Sequence, residues 1–196
     1  MAFPTAWTET ALVSISKLSG TDIEFAAITS TVEINEGDYP GESVATIAGG
    51  RVWKQSPQED GEITMDIYPI ELDSTTGVGL FQQFAGGTYD TSEPLASDSS
   101  WLAGVSRIRD SFRVAVLWTN DTAATTGFGA TAASTDGLRF YATDCRITSH
   151  KASFSDNLLK ATVTFKFPAF NKAGTTKIGV WQSGDNTALV TLGSYT

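Results

Sequence analysis

Residues 33–60 read EINEGDYPGESVATIAGGRVWKQSPQED. A polar, turn-forming segment, NEGDYPGES, separates a first strand-like piece from the short apolar run VATIAGG, and a second strand-like piece, RVWKQ, follows. This pattern predicts a long projecting hairpin with apolar residues near its tip. A lone hairpin has no core of its own in which to bury such residues. We therefore expect the tip to be covered by another copy of the chain.

The chain has 196 residues, of which 41% are hydrophobic and 18% are charged. This length and composition predict a single domain over residues 1–196. The formal net charge is −9 and the sequence pI is about 4.5. An acidic chain does not attract phosphate, so we expect no specific binding to nucleic acid and no association with an anionic membrane.

Several segments alternate between apolar and polar residues, as half-buried strands do. In Gly61–Ile70, Ile63, Met65 and Ile67 fall on one face. The other predicted strands are Thr10–Leu18, Thr21–Ile34 as one long or bent strand, Ser111–Thr119, Leu138–Phe154 with a break near Cys145, Leu159–Phe167, Thr175–Gln182 and Ala188–Leu192.

One segment favours a helix, because Thr76–Ala85 carries Leu80 and Phe84 on one side and two glycines follow it. Residues 119–137, rich in Thr, Ala and Gly, predict a long loop that is either a mobile tip or ordered against a neighbour. Together these elements predict a mainly β fold. We expect an antiparallel β-sandwich or β-barrel with one flanking α-helix and a long projecting hairpin.

Histidine and cysteine, which often carry catalysis or bind metals, occur once each in this sequence. A catalytic triad needs a base, a nucleophile and an orienting acid, and nothing in the local sequence ITSHKASF around His150, the sole histidine, supports such an arrangement. A zinc site needs about four nitrogen or sulfur ligands, and Cys145 is the sole cysteine. We interpret both as strand residues, and we expect no enzymatic activity, no metal and no cofactor.

Two charged clusters also have structural interpretations. One comprises Glu33, Glu36, Asp38 and Glu42. Its carboxylates could bind a hard cation, but the spacing matches no calcium-binding loop, so a solvated turn is the better interpretation. The other comprises Arg107, Arg109 and Arg113. These arginines favour the solvated start of a strand or a salt-bridging interface edge over a nucleic-acid patch.

The remaining features all favour assembly. Long strands with exposed edges pair readily with other chains, and a protein can use such edges to close a ring of identical subunits. The projecting hairpin and the long, weakly charged loop fit the same interpretation. The sequence alone therefore favours a structural, self-associating protein over an enzyme.

The run ITSTVEINEGDYPGESVATIAGGRVWKQSPQEDGEITMDIYPIELDSTTGVGLFQQF resembles the major tail tube proteins of long-tailed viruses. It is especially similar to those of a group of tailed viruses of archaea, including haloarchaea. An acidic strand ending in EINEGD, a strand start at GGRV, and PQEDGEIT leading into YPIE carry the resemblance. It covers residues 20–85.

This resemblance implies a β-sandwich or β-barrel with a flanking helix, six copies of which form each ring of a hollow virion tail tube assembled in the host cytoplasm. It also implies contacts with other tail proteins, such as the tape measure protein and the tail terminator. Viral DNA would pass through the lumen without specific binding. Asn35–Gly50 would then be the arm that reaches a neighbouring subunit. Its implied contact residues are Asp38, Tyr39, Pro40, Glu42, Val44 and Ile47.

A lumen lined by acidic side chains would repel phosphate and keep DNA from sticking during transit. The candidates for that lining are Asp22, Glu24 and Glu33. The acidic balance fits equally well the surface of a protein that must stay dissolved in high salt. A carbohydrate-binding β-sandwich or another interaction module is the alternative function, and it would be expected to remain monomeric. A hydrolase built on a jelly roll is a third interpretation.

Overall fold

We describe the chain from a computed structural model, which defines residues 11–18, 22–26, 31–67, 111–155 and 158–196. Within these residues lie β1 (Ala11–Lys17), β2 (Asp22–Ala26), β3 (Val32–Asn35), β4 (Gly41–Ala45), β5 (Arg51–Gln55), β6 (Gly61–Ile67), β7 (Phe112–Thr119), β8 (Gly137–Ser155), β9 (Leu158–Phe167) and β10 (Gly179–Gly184). The prediction of a mainly β chain is confirmed for this part of the protein. The predicted helix Thr76–Ala85 lies outside the described residues.

Eight of these strands form one antiparallel sheet in the order β2-β1-β7-β8-β9-β6-β3, with β10 also paired to β8. β4 and β5 pair only with each other among the described strands and form a separate two-stranded ribbon. The main sheet therefore makes the body of the protein, and the ribbon stands apart from it.

The main sheet curls into a half-barrel. Its seven-strand path would span about 29 Å if it were flat, since neighbouring strands lie about 4.8 Å apart. Ala26 at the end of β2 and Val32 at the start of β3 are six positions apart along the chain, which allows at most about 22 Å. The two ends of the sheet must therefore approach each other. Consistent with this, β1 and β6 contribute side chains to the same core although three strands separate them.

β8 produces much of the bend. Its first half pairs with β7 and β10, and its second half pairs with β9. Between Ala142 and Cys145 it carries one residue more than β7, and Asp144 there has a φ of +54°. Between Ile147 and Ser149 it carries one residue more than β9. Such bulges bend a strand and increase its twist, and the first bulge lies where the sequence predicted a break near Cys145.

The concave face of the sheet holds the main apolar core. Its fully buried members include Val13, Val116, Phe140 and Phe165, which come from four different strands. The predicted alternation in β6 is confirmed for Ile63 and Met65, which are both buried there. Burial of this apolar surface is the main favourable contribution to folding.

The opposite face of β1, β7 and β8 is also covered, so β7 is buried on both sides. Residues 119–137 and the segment after β10 lie over it. Gly127 N donates to Ser14 Oγ (2.8 Å), Leu189 N donates to Thr131 Oγ1 (3.0 Å), and Leu12, Leu117 and Leu189 form a second apolar cluster. The loop over residues 119–137 thus packs on its own sheet, which differs from both expectations for it, a mobile tip or order against a neighbour.

Arg139 connects these covering segments. Its guanidinium is fully buried and donates to Gln182 Oε1 (2.6 and 2.9 Å) and to the carbonyl oxygens of Gly127 (3.3 Å), Gly129 (2.8 Å) and Val190 (2.5 Å). Among the described residues, no carboxylate lies within ion-pair distance of it. A buried charge needs such partners, because an unpaired one is very costly. Arg139 therefore joins the loop and the C-terminal segment to the sheet.

Of three predictions about individual segments, two are wrong. Arg113 is buried rather than solvated: it donates to the carbonyl oxygen of Gly193 and lies 4.3 Å from the centre of the Phe128 ring. The described parts of Thr21–Ile34 are β2 and β3, which pair with β1 and β6 at opposite ends of the sheet, and residues 27–30 between them lie outside the described residues. Ala188–Leu192 forms no strand, since its backbone bonds instead to residues 128 and 131 in the covering loop.

Replacing Arg139 by Met should destabilise the protein by about 3 kcal/mol or more, because it leaves several buried carbonyl oxygens and the Gln182 side chain without a donor. Urea unfolding followed by circular dichroism measures this change. Arg146→Met is the matched control, because Arg146 is exposed on the same strand and its loss should cost no more than about 0.5 kcal/mol. Equal stability of the two variants would contradict the proposed role of Arg139.

Candidate functional site

The ribbon formed by β4, β5 and the turn between them carries four large exposed apolar side chains, Val44, Ile47, Val52 and Trp53. Every residue of both strands is exposed. Val44 and Val52 lie directly opposite each other, and Ser43 lies opposite Trp53. The ribbon is closed at its tip by bonds from Thr46 N to Gly50 O (2.8 Å) and from Gly49 N to Thr46 O (3.0 Å). Ile47 in this turn is fully exposed.

The two faces of the ribbon carry different groups. Val44 and Val52 share one face, with the Glu42–Lys54 ion pair (3.8 Å) beside them. Trp53 lies on the other face, against the backbone of Gly41, where a Cβ atom would come within 2.4 Å of the Trp53 Cζ2 atom. Both faces thus present apolar surface to water.

On the Trp53 face, Arg51 Nε donates to Ser43 Oγ at 2.8 Å, and its Nη2 atom lies 3.4 Å from the Ser43 carbonyl oxygen. These bonds cross from β5 to β4 and hold the arginine along the ribbon. Arginine and tryptophan are the residues that most often dominate binding energy at protein interfaces. Their side-by-side exposure on a projecting element is therefore typical of a contact surface.

The base of the ribbon is fixed by a polar network. Gly37 has a φ of +86°, which L-residues rarely adopt, and a Cβ atom there would lie 2.1 Å from the Glu59 carbonyl oxygen. Asn35 Oδ1 accepts from Gly37 N (2.9 Å), and Glu59 N donates to Asp38 O (3.0 Å). Gln58 Nε2 donates to Glu36 O at 2.7 Å. The two chains of the base are therefore joined before the ribbon begins.

Glu36 also ties the base to β10 of the body. Its two carboxylate oxygens accept from Lys177 Nζ (3.0 Å) and from Trp181 Nε1 (2.7 Å). The Trp181 ring in turn stacks on Trp118, with centroids 5.9 Å apart, and contacts Phe140 at 4.9 Å. A continuous set of contacts therefore leads from the core of the sheet to the start of the ribbon.

The charge state of Glu36 reflects this position. Burial raises the pKa of Glu36, but the hydrogen bonds from Lys177 and Trp181 lower it further than burial raises it, so the pKa is below the ordinary value of 4.5. The hydrogen bond to Glu36 raises the pKa of Lys177, and the Tyr39 side chain raises it as well. The ion pair is therefore present throughout the neutral range.

The structure places the predicted contact residues along one segment. Tyr39, Val44 and Ile47 are exposed, and Asp38 and Pro40 mainly use their backbone groups to close the base, with Ser56 N donating to Pro40 O (2.9 Å). Glu42 pairs with Lys54. The sequence analysis missed Val52 and Trp53, although the pairing of GESVA with RVWKQ would have found them.

The candidate lumen residues lie on the two end strands of the sheet path. Asp22 and Glu24 belong to β2, and Glu33 belongs to β3, where it is exposed. The pairing brings Glu24 opposite Ser14 and Glu33 opposite Thr64. The three acidic residues are thus not neighbours through strand pairing.

Groups that could support other functions are placed unfavourably. Cys145 is fully buried, and burial raises the pKa of its thiol, so it is a poor nucleophile. His150 of β8 lies opposite Val163 of β9, and burial lowers the pKa of His150. Within the part of the chain that the structure describes, His, Cys, Asp and Glu form no group of three or more that could hold a metal ion. In the same residues, no helix has the length and apolar character to cross a membrane.

The geometry defines a class of protein: a curled antiparallel sheet that carries a projecting, exposed ribbon anchored to its edge. The chain is similar to one from the cryo-EM structure of the sheath/tube terminator of an extracellular contractile injection system (PVC) in the extended state, with a TM-score of 0.52 and 12% identity, covering 93% of this chain and 99% of that one. At this identity the likeness establishes the fold alone.

Lower similarity is found to a chain of the sheath–tube complex of the same system in the extended state (TM-score 0.49, 10% identity, 88% of each chain covered). Hcp1 from Flavobacterium johnsoniae is more distant (TM-score 0.30, 14% identity, 80% of this chain and 98% of that chain). TM-scores below 0.5 establish no shared fold. No protein-family model and no curated protein matches the sequence.

The Glu36 anchor should fail in acid. Because the pKa of Glu36 is lowered in the folded chain, its contribution to stability is complete above pH 4.5 and is lost as the pH falls through the lower, folded-state pKa. In proton–nitrogen NMR spectra, the Trp181 indole N–H signal should shift in this acid range. Glu36→Gln should remove that shift, and Glu33→Gln, a change in the preceding strand β3, should retain it. A wild-type midpoint above pH 4.5 would contradict the anchor.

Proposed function

We propose that this chain is the structural, non-catalytic subunit of a tail tube, in which hexameric rings stack into a hollow tube. The observation that carries the proposal is the ribbon at residues 41–55, whose apolar side chains are exposed in the single chain. The fold shared with a chain of the sheath/tube terminator structure supports the same assignment. In this proposal the tube belongs to the virion tail of a long-tailed, siphovirus-like virus with a haloarchaeal host, and it assembles in the host cytoplasm.

Burial of the ribbon supplies a driving force for this assembly. Val44, Ile47, Val52 and Trp53 are all exposed in the single chain. Covering each of them would stabilise an assembly by about 1–2 kcal/mol. Part of this gain is offset by the entropy lost on association, but the fixed base of the ribbon reduces the cost of ordering it. The ribbon is therefore suited to act as the arm between subunits.

The ends of the sheet path supply a second kind of contact. In the described part of the chain, β2 pairs only with β1, and β3 pairs only with β6. An edge strand has backbone donors and acceptors that a strand of another subunit can pair with. We propose that these edges meet in the ring and give the tube a continuous inner sheet, with Asp22, Glu24 and Glu33 facing the lumen. Their charge would then repel the phosphates of DNA passing through it.

The proposed partners follow from this position in a tail. The subunit contacts other copies of itself, and the ends of the tube contact the tail terminator and the tape measure protein. Because the formal net charge is −9, viral DNA passes without specific binding. A tube subunit, unlike a carbohydrate-binding module, should bind no glycans at the concentrations at which it assembles.

A variant without the ribbon tests the proposed function. Ser56 N donates to Pro40 O, and the same bond would close a two-residue turn placed between these residues. Asn-Gly, which favours such a turn, can therefore replace residues 41–55 without changing the base. The wild-type protein should form rings and tubes of uniform bore in negative-stain electron microscopy. The shortened variant should still unfold cooperatively in circular dichroism but remain monomeric in analytical ultracentrifugation at the same concentration.

Two results would contradict the proposal. A wild-type protein that remains monomeric at all accessible concentrations and salt conditions would not be a tube subunit. Tubes formed normally by the folded, shortened variant would show that assembly does not depend on the ribbon.

A further inference from the structure

Both faces of the ribbon carry exposed apolar groups, and this limits how it can be buried. Val44 and Val52, exposed to 43% and 57%, share one face, whereas Trp53, exposed to 64%, lies on the other. A two-stranded ribbon is one layer thick, and successive side chains point to opposite faces. Contact with a single flat surface would cover one set and leave the other in water.

We propose that the ribbon inserts between two other copies of the chain, so that one copy covers the Val44–Val52 face and a second copy covers the Trp53 face. This inference rests on the proposed self-assembly and adds to it that each ribbon joins three subunits. A ribbon held in this way links a subunit to two others at once. Loss of either face then weakens the assembly.

Charge identifies the occupants as copies of this chain. The ribbon, residues 41–55, contains Glu42, Arg51 and Lys54, a formal charge of +1, whereas the whole chain carries −9. The rest of the chain therefore carries −10. A cationic projection on a strongly acidic body is electrostatically complementary to the bodies of other copies, and such complementarity favours their association over that of basic partners.

The anchor at Glu36 is consistent with a two-sided contact. The base bonds of Glu36 and Gln58 keep the ribbon away from the body, so neither face is covered by the described part of its own chain. A ribbon already held apart can enter a cleft between two other molecules without first being released. Preorganisation of this kind lowers the entropy cost of binding.

Protection of thiols tests the two faces separately. Cys145 is the sole cysteine and is fully buried, so Val52→Cys and Trp53→Cys each introduce one exposed thiol, at adjacent positions on opposite faces. Each variant is treated with a water-soluble maleimide after assembly and, as its own control, after dilution to monomers. Both thiols should react at least tenfold more slowly in the assembled state. Protection of one face alone would overturn the proposal, because the ribbon would then lie flat on a single neighbour.

Crosslinking identifies what covers each face. A benzophenone maleimide is attached to either introduced thiol, and mixed assemblies of ¹⁴N- and ¹⁵N-labelled subunits are irradiated and digested. The two positions should crosslink to different surfaces, and both sets of peptides should join labelled to unlabelled chains. Crosslinks confined to one copy would mean that the chain covers its own ribbon, and identical target peptides from both positions would mean a single neighbour. Either result overturns the proposal.

Conservative variants separate this inference from the proposed function. Val44→Thr with Val52→Thr, and Trp53→Thr alone, keep residues suited to strands at exposed positions, so the thermal midpoint of the monomer should not change. Each should raise the concentration at which half of the protein assembles at least tenfold. If the wild-type protein assembles and one variant matches it, the two-sided contact is wrong while the tube function stands. If the wild-type protein never assembles, both fail.

Discussion

The nineteen residues of β8 hydrogen-bond with three other strands, and the shape of the body depends on how they do so. A straight strand of this length would extend about 60 Å and could not remain within one small sheet. The two extra residues near Asp144 and Thr148 bend it, so its first half lies between β7 and β10 and its second half pairs with β9. This bend brings β1 and β6 face to face, and the concave core forms between them.

Curling leaves a convex face, which a half-barrel must cover or leave to solvent. Here an irregular loop and the C-terminal segment cover it, and irregular segments bring backbone groups that regular strands would have paired. Arg139 satisfies three carbonyl oxygens, and Asp121 accepts from the N–H groups of Ala123 (2.9 Å) and Ala132 (2.7 Å). Those N–H groups hold the pKa of Asp121 below its usual value. Two charged side chains thus replace the hydrogen bonds that a second sheet would have provided.

The sequence indicated the fold where one face of a strand is buried and the other is not. Ile63 and Met65 alternate with polar residues because β6 has its core on one side, so both could be predicted. β7 is buried on both sides, but the sequence pattern predicted Arg113 to be in solvent. Periodicity cannot show that another segment covers the second face of a strand. Pairing partners are equally non-local. Thr21–Ile34 has the composition of one strand, yet its halves pair with β1 and β6.

The candidate site shows the same division between local and non-local information. Turn-forming residues and the run VATIAGG predicted a hairpin with an apolar tip, since both signals lie within the segment itself. The partners of Glu36 lie more than 140 positions away, at Lys177 and Trp181, and no local pattern relates them. These distant bonds fix where the base of the ribbon is attached to the body.

An isolated two-stranded ribbon is marginally stable in water, and one with apolar groups on both faces would tend to collapse onto the nearest surface. Bonding its base to Trp181, which packs on Trp118 and Phe140, ties the direction of the ribbon to the core of the body. The exposed side chains are therefore held away from the described part of their own body, and in the proposed assembly other copies of the chain bury them.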